Sequence, residues 1–138
     1  PTVAKLMNAG ALELILVPQG TLAEQIRAKG AGLGGVLTPT GLGTLVQEGK
    51  QVIEVDGKKY ILEKPMKADL AIVEATYADT FGNGVNIGTT RNFNPLMALA
   101  ADVVVMGTYE VREPGKVDPS SVTIHGVLVD YLVEIVEA

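Results

Sequence analysis

Cysteine and tryptophan are absent from this sequence, and histidine occurs once, at position 125. Without cysteine the chain has no disulfide, no thiolate nucleophile and no Cys-ligated metal site, and this composition suits the reducing cytosol. We therefore expect a cytoplasmic protein. A single histidine gives no redundancy for a His-rich metal site or a Ser-His-Asp triad, so we predict no metal site.

Aromatic residues and charges are also scarce. Aromatics make up 4% of the 138 residues, so the core must be built from Val, Leu, Ile and Ala. Hydrophobic residues make up 47% and charged residues 20%, a balance typical of a globular chain, and the length fits one domain, residues 1–138. The net charge of −5 argues against a nucleic-acid binder, which would show a basic stripe. The apolar run 96–106 is interrupted by Asp102 and is too short to span a bilayer.

The pattern of apolar residues predicts an α/β fold with a mixed sheet. The chain opens at Pro1-Thr2 with a short helix (around Thr2 to Met7) that leads into an apolar strand, 12–17. This opening is typical of the middle of a protein or of one piece of a larger assembly. The next helix would start at a capping box formed by Thr21 and Glu24 and stop at Gly30. Further strands are predicted at 36–38, 52–55, 59–62, 70–73, 103–106 and 127–136, with a type I′ hairpin turn at 56–57, a polar loop at 77–92 and a helix at 95–101.

The turn Pro18-Gln19-Gly20 joins the strand 12–17 to the helix that follows. In open α/β sheets, ligands bind at the carboxyl ends of the strands, where this turn is predicted to lie. The neutral amide of Gln19 can donate a hydrogen bond to a carboxylate or carbonyl oxygen without adding a charge. An ordinary turn residue is the alternative for Gln19, and the residues alone leave both open.

The segment 30–35 (GAGLGG) matches the dinucleotide pattern G-x-G-x-x-G, but its context is reversed. That site needs a strand before the glycines and a helix after them, whereas here a helix precedes and a strand follows. Two other interpretations remain open. The glycines either end the helix and form a loop with positive φ angles, or they let a ligand or a second chain approach the backbone closely.

The block Arg91-Asn92-Phe93-Asn94 precedes Pro95. Asn94 is predicted to cap the following helix. Arg91 could bind a carboxylate or phosphate through two N–H groups, or tie down its loop by an internal salt bridge, which we favour. His125 has no obvious carboxylate partner and is interpreted as a surface or packed residue. No carboxylate pair and no nucleophile elbow emerges, so the reacting group of an enzyme could come from elsewhere.

Several long blocks carry a resemblance that runs through nearly the whole chain. They are residues 16–27 (LVPQGTLAEQIR), 30–32 (GAG), 37–46 (LTPTGLGTLV), 60–63 (YILE), 68–69 (AD), 78–79 (AD), 82–83 (GN) and 91–98 (RNFNPLMA). Together they resemble the α subunit of the two-component, glutamate-type CoA-transferases. This family includes the acetate/butyrate–acetoacetate and succinyl-CoA:3-oxoacid transferases.

The resemblance implies a three-layer α/β domain with a mixed sheet and an enzyme that moves CoA between carboxylic acids. A glutamate of the β subunit would form an acyl anhydride and then a glutamyl-CoA thioester, so no catalytic residue is expected in this chain. Gln19 matches a family glutamine near the acyl group, with Gly20 beside it. Gly41 belongs to the glycine-rich region that would line the cleft, and Arg91 and Asn94 would shape the site. Coenzyme A would be a substrate rather than a bound cofactor, and the partner would be a β subunit in an α2β2 assembly.

The chain also departs from the family pattern. It corresponds to the C-terminal two-thirds of an α subunit, without the N-terminal third that carries a CoA-associated loop and an asparagine of the acyl site. Residues 84–87 lack a Tyr-Arg-like pair, and Thr90 stands where Ala is usual. A non-catalytic ligand-binding or assembly module on the same fold is the alternative to a transferase subunit.

Overall fold

The computed structural model of the protein describes residues 2–136 and has both helices and strands. The predicted α/β class with mixed strand directions is confirmed, although the strands form three small sheets within the described residues. The helices are α1 (Thr2–Asn8), α2 (Gln19–Gly30) and α3 (Asn94–Met97). The strands are β1 (Val36–Thr38), β2 (Val52–Val55), β3 (Lys58–Glu63), β4 (Ala68–Ala75), β5 (Tyr77–Asp79), β6 (Gly84–Val85), β7 (Ala101–Thr108), β8 (Val111–Arg112) and β9 (Tyr131–Glu134).

The central sheet has the order β4-β7-β9, and all its strands are parallel. Alternate residues of these strands point to opposite faces. One face is buried and forms the main core, built from small and branched residues as the composition predicts. Its buried members include Ala71, Val73, Ala75, Val104 and Met106.

The opposite face of the central sheet is apolar and largely exposed. Register pairs Leu70 with Val103, and aligns Ile72 with Val105 and Tyr131 across the three strands. Ile72 is 74% exposed and Tyr131 is 62% exposed. We call this surface, with Val133 beside it, the open sheet face.

A second sheet, ordered β1-β3-β2, is antiparallel and contains the predicted hairpin. Asp56 and Gly57 both have positive φ, 51° and 74°, as a type I′ turn requires. Glu63 at the end of β3 is 2% exposed; its carboxylate lies 2.7 Å from Lys50 Nζ and accepts a hydrogen bond from Gln25 Nε2 at 3.1 Å. These contacts attach the hairpin to α2.

The predicted strand 12–17 is wrong: these residues have no regular secondary structure. Ile15 and Leu16 are 74% and 80% exposed. An apolar run becomes a strand only where a neighbouring strand supplies ladder hydrogen bonds, and no such neighbour lies beside it within residues 2–136.

The predicted capping box is also wrong, because α2 begins two residues before Thr21. Pro18 occupies the cap position with φ −55°, and no side chain of the described residues caps the helix. Proline has no N–H to leave unpaired, so the helix starts immediately after it. Thr21 is consequently buried within the first turn, and its hydroxyl has no partner in the described part of the chain.

Two other predicted elements are shorter than expected. α3 ends at Met97 rather than continuing to residue 101, and Phe93 rather than Asn94 is its cap residue. The predicted strand 127–136 is a 3-10 turn (Gly126–Leu128) followed by β9, which lies at the edge of the central sheet as expected. No helix among residues 2–136 is long and apolar enough to cross a membrane.

Candidate functional site

A cleft of about 840 Å³ lies at the N-terminal end of α2. Three separate parts of the chain form its walls: the start of α2, the segment around α3, and the segment that precedes β9. Its lining residues are Gln19, Gly20, Ala23, Arg27, Asn92, Phe93, Pro95, Leu96, Leu99, Thr123, His125 and Leu128.

Gln19 and Gly20 are the first two residues of α2, and both are exposed to the cleft. The first intrahelical bond runs from the Leu22 N–H to the Pro18 carbonyl, at 2.9 Å. The preceding N–H groups therefore have no intrahelical acceptor, and they form the positive end of the helix dipole. The first turn carries no acidic residue, and no side chain between residues 2 and 136 caps it. This end of the cleft is suited to an anionic ligand.

The second wall is held in place by Asn94, which points away from the cleft lining. Its Oδ1 accepts a hydrogen bond from the Glu74 N–H at 3.0 Å, and its Nδ2 donates to the Thr90 carbonyl at 2.9 Å. Asn94 thus joins β4 to the loop before α3. Its neighbours Phe93 and Pro95 line the cleft as a result.

Thr123 and His125 form the third wall, and sequence reasoning missed both as site residues. Thr123 Oγ1 accepts from the Asn86 N–H at 2.9 Å and donates to Asn86 Oδ1 at 2.8 Å. Asn86 is fully buried and also donates to the Glu74 carbonyl at 2.6 Å. No local sequence pattern around Thr123 predicts this pairing, because its partner Asn86 lies 37 positions away.

Asp118 precedes this wall in the sequence and holds the turn that leads into it. The Ser120 hydroxyl and the Ser120 N–H both donate to the Asp118 carboxylate, at 2.7 and 2.9 Å, and these bonds lower the pKa of that carboxyl. The carboxylate thereby shapes the 3-10 turn Pro119–Ser121 that leads into the cleft wall.

Among residues 2–136, no aspartate or glutamate lines the cleft. Arg27 and His125 contribute nitrogen donors, and Arg27 Nε is paired with Glu24 at 3.2 Å. Together with the helix end, this lining offers hydrogen-bond donors and apolar surface. It can hold the carboxylate or carbonyl oxygens of a small acid, and it supplies no acidic nucleophile.

The structure brings only some of the predicted site residues to this cleft. Gly41 lies away from it, with φ +91° and Val46 packed against its α-carbon, where a Cβ would come within 2.7 Å of Val46 Cγ1. Arg91 lies in a neighbouring pocket and donates from Nε to the Asn86 carbonyl at 3.1 Å. Their roles in substrate binding stay predictions, as do those of Gln19, Gly20 and Asn94.

The G-x-G-x-x-G segment serves the chain's own packing. A Cβ on Gly30 would overlap Leu99, and a Cβ on Gly35 would lie 2.7 Å from the Glu63 carbonyl oxygen. Gly32 has φ +68° immediately after α2 and ends the helix. This arrangement supports the interpretation of a helix end followed by a tight loop.

Comparison with known proteins identifies relatives of the whole chain. A family model described as Coenzyme A transferase matches residues 1–135. The alpha chain of the acetate CoA-transferase of Escherichia coli K12 is 48% identical over 133 residues, which are 96% of this chain and 60% of that protein. The alpha chain of the acetoacetyl-CoA:acetate/butyrate CoA transferase of Clostridium acetobutylicum is 45% identical over 97% of this chain and 62% of its own length.

Solved structures share the fold. An acyl-CoA transferase from Escherichia coli O157:H7, determined as a thioester complex with CoA, superposes with a TM-score of 0.85 at 25% identity. The superposition covers 98% of this chain and 30% of that one. The chain therefore spans roughly 60% of the length of the curated relatives it matches and a smaller part of this structural neighbour.

Proposed function

The chain belongs to the coenzyme A transferase family, and on that premise we propose that it is part of an α-type subunit that moves CoA between an acyl-CoA and a carboxylic acid. The observation that carries the proposal is the family match over residues 1–135. Two relatives at 48% and 45% identity are named as alpha subunits of CoA-transferases, which supports the same reaction class here.

The geometry of the cleft supports a role in holding the acyl group. Gln19 lies at a helix N-terminus whose first turn has no acidic residue. Its amide N–H donates to an oxygen of the acid, while the free backbone N–H groups favour negative charge. Leu96, Leu99 and Leu128 give an apolar wall for a short acyl chain. Short-chain acids such as acetate, butyrate, acetoacetate or succinate are the proposed substrates.

The proposed reaction is ping-pong, with the nucleophile on a β subunit. A β-subunit glutamate attacks the thioester carbonyl of the acyl-CoA, forming an acyl anhydride and releasing CoA as thiolate. The thiolate then attacks the glutamyl carbonyl, giving glutamyl-CoA and the free carboxylic acid. A second acid attacks glutamyl-CoA, and the reverse sequence yields the new acyl-CoA and regenerates the glutamate. Donors such as Gln19 would stabilise the oxygens that gain charge in these steps.

The experiment that tests the proposal combines the full-length subunit with its β partner, in the proposed α2β2 assembly. Acetoacetyl-CoA and acetate are supplied, and acyl-CoA species are separated by chromatography. We expect acetyl-CoA and acetoacetate to form only when both subunits are present. After incubation with acyl-CoA alone, mass spectrometry should find the CoA adduct on a β-subunit glutamate and none on this chain.

The matched control replaces that β-subunit glutamate with glutamine. This variant should assemble normally, bear no adduct and exchange no CoA. Absence of exchange by the wild-type assembly would refute the proposal and favour a ligand-binding or assembly module. An adduct on a residue of this chain would refute the assignment of the nucleophile.

A further inference from the structure

A second pocket, of about 480 Å³, lies beside the cleft. Its wall is formed by Tyr77, Val85, Asn86, Ile87, Gly88, Arg91 and Ser121. The pocket and the cleft adjoin the same two chain segments, since Arg91 is next to the cleft residue Asn92 and Ser121 is close to Thr123. The pocket has no part in the function proposed above.

Arg91 is held at this pocket by a rigid support. Its Nε donates to the carbonyl of Asn86, a residue that is fully buried. The Asn86 side chain is in turn bound on both sides, by the Glu74 carbonyl at 2.6 Å and by Thr123 Oγ1 at 2.8 Å. One nitrogen of the guanidinium is thus anchored, while the two terminal nitrogens make no hydrogen bond within residues 2–136.

The charge of Arg91 is not matched by a carboxylate in the described part of the chain. The sequence has three arginines. Arg27 is paired with Glu24, and Arg112 is paired with Glu110 at 2.7 Å, whereas no ion pair among residues 2–136 includes Arg91. The internal salt bridge favoured from the sequence is therefore wrong. The anchor is a neutral carbonyl, although the chain carries 16 acidic residues and a net charge of −5.

The surroundings of Arg91 favour an anion further. No aspartate or glutamate of the described part of the chain lines the pocket. Ser121 and Tyr77 also line the pocket, but the Ser121 hydroxyl donates to the Asp118 carbonyl at 2.8 Å and Arg112, stacked on Tyr77, is paired with Glu110. Arg91 therefore supplies the donors and the positive charge of this pocket within residues 2–136. The nearby Asp118 carboxylate is engaged by Ser120. A guanidinium with two free N–H-bearing nitrogens binds a planar or tetrahedral oxyanion bidentately.

We propose that the Arg91 pocket is a second oxyanion site, which binds a phosphate or carboxylate of a substrate separately from the acyl oxygens held in the cleft. This inference rests on the proposed CoA transfer. The oxyanion has two sources there, the ribose 3′-phosphate of CoA or the distal carboxylate of a dicarboxylic acid. Both offer the same chemistry to Arg91.

Two comparisons, with four substrates in all, distinguish the sources in the full-length subunit with its partner. Wild type and Arg91→Gln are assayed with CoA and dephospho-CoA thioesters, and with succinate and acetate as acceptors. We expect Arg91→Gln to lower kcat/KM by about 10- to 100-fold for one charged substrate and to leave its counterpart unchanged, as loss of a charge-assisted hydrogen bond predicts. Selective loss with CoA identifies the phosphate, and selective loss with succinate identifies the carboxylate.

Lys58→Gln is the matched control, because it removes the same charge from the exposed hairpin end of β3. It should leave all four values unchanged. Arg91→Lys, which keeps the charge and loses the planar fork, should show an intermediate loss. An equal loss with all four substrates, or no loss with any, would overturn the proposal in favour of a purely structural arginine.

A binding measurement separates this inference from the proposed function. Calorimetric titration of the same assembly with inorganic phosphate and with succinate needs no turnover. Binding by wild type that disappears in Arg91→Gln supports the site even where no CoA exchange occurs. Absence of binding in an assembly that exchanges CoA, with unchanged substrate selectivity in the variant, overturns the site and leaves the function intact.

Discussion

At the scale of single residues, the side-chain amides of Gln19 and Asn94 make different contacts. Gln19 faces the cleft from the first turn of α2, whereas Asn94 faces inward and joins β4 to the loop before α3. The sequence predicted a turn residue at Gln19 and a helix cap at Asn94. The structure separates them by the direction of the side chain, which a local sequence pattern does not specify.

Replacing Gln19 tests the acyl-binding wall of the cleft. Gln19→Ala removes a donor to a charged or polarised oxygen, so we expect kcat/KM for the carboxylic acid to fall about 10- to 100-fold. Gln19→Glu should cost more, because it places a like charge beside the carboxylate. Steady-state kinetics of the full-length subunit with its partner measures both effects.

Gln51→Ala serves as the control for Gln19, since Gln51 is exposed just before β2 and lies outside the cleft. Melting temperatures of all three variants should stay close to wild type. Unchanged kinetics in Gln19→Ala would remove Gln19 from the site. A large drop in its melting temperature would assign it a structural role.

At the scale of elements, the sequence predicted those set by local chemistry. The hairpin at residues 52–63 follows from Asp56-Gly57, whose positive φ angles few other pairs adopt as readily. Strands β4 and β7 follow from their branched apolar runs. The hairpin needs no partner from elsewhere in the chain, whereas β4 and β7 supply each other's ladder hydrogen bonds.

The elements that failed depend on distant partners. Residues 12–17 have the composition of a strand but no neighbouring strand among the described residues. The cleft joins Gln19 to His125, and the Arg91 pocket depends on Asn86 and its bond to Thr123. Such contacts are set by packing between remote segments, so the sequence located one wall of the site and missed the wall at 123–128.

The contact between α2 and the end of the α3 segment gives a prediction at this scale. Gly30→Ala would bring a Cβ into overlap with Leu99 Cβ, so the helix must move or the segment must yield. Because this overlap overpacks the contact, we expect the free energy of unfolding to fall by roughly 1–3 kcal/mol, measured by urea denaturation. Leu99 also lines the cleft, so the same shift would reach the cleft wall.

Gly34→Ala is the appropriate comparison for Gly30→Ala. Gly34 belongs to the same glycine-rich segment, but a Cβ there meets nothing within 4 Å and its φ is not positive. This variant should match the stability of wild type or exceed it slightly, because alanine restricts the unfolded chain. Equal destabilisation by both substitutions would contradict the close-packing role of Gly30.

At the scale of the whole molecule, the open sheet face dominates. Parallel sheets are normally covered on both faces, yet Ile72 and Tyr131 are mostly exposed on this one. We expect the 138-residue chain, prepared alone, to bind an apolar fluorescent dye through this surface. Ile72→Lys should reduce the dye fluorescence, because it places a charge at the centre of the apolar patch.

Val127→Lys makes the same change of charge at a residue that is 95% exposed but lies outside the open sheet face. Its dye fluorescence should equal that of wild type. Circular dichroism would verify that both variants keep their secondary structure. Equal fluorescence in Ile72→Lys and wild type would show that the dye binds elsewhere.

The three walls of the cleft also tie ligand binding to the order of folding. They come from the start of α2, from residues 92–99 and from residues 123–128, so a nascent chain that has not yet emerged beyond Leu128 cannot close them. Closing loops this long costs more entropy than closing the local hairpin at 52–63, so we expect the walls to meet after the hairpin has formed. A ligand of the cleft would therefore bind only chains in which all three walls have met, and its binding would stabilise that state over merely compact ones.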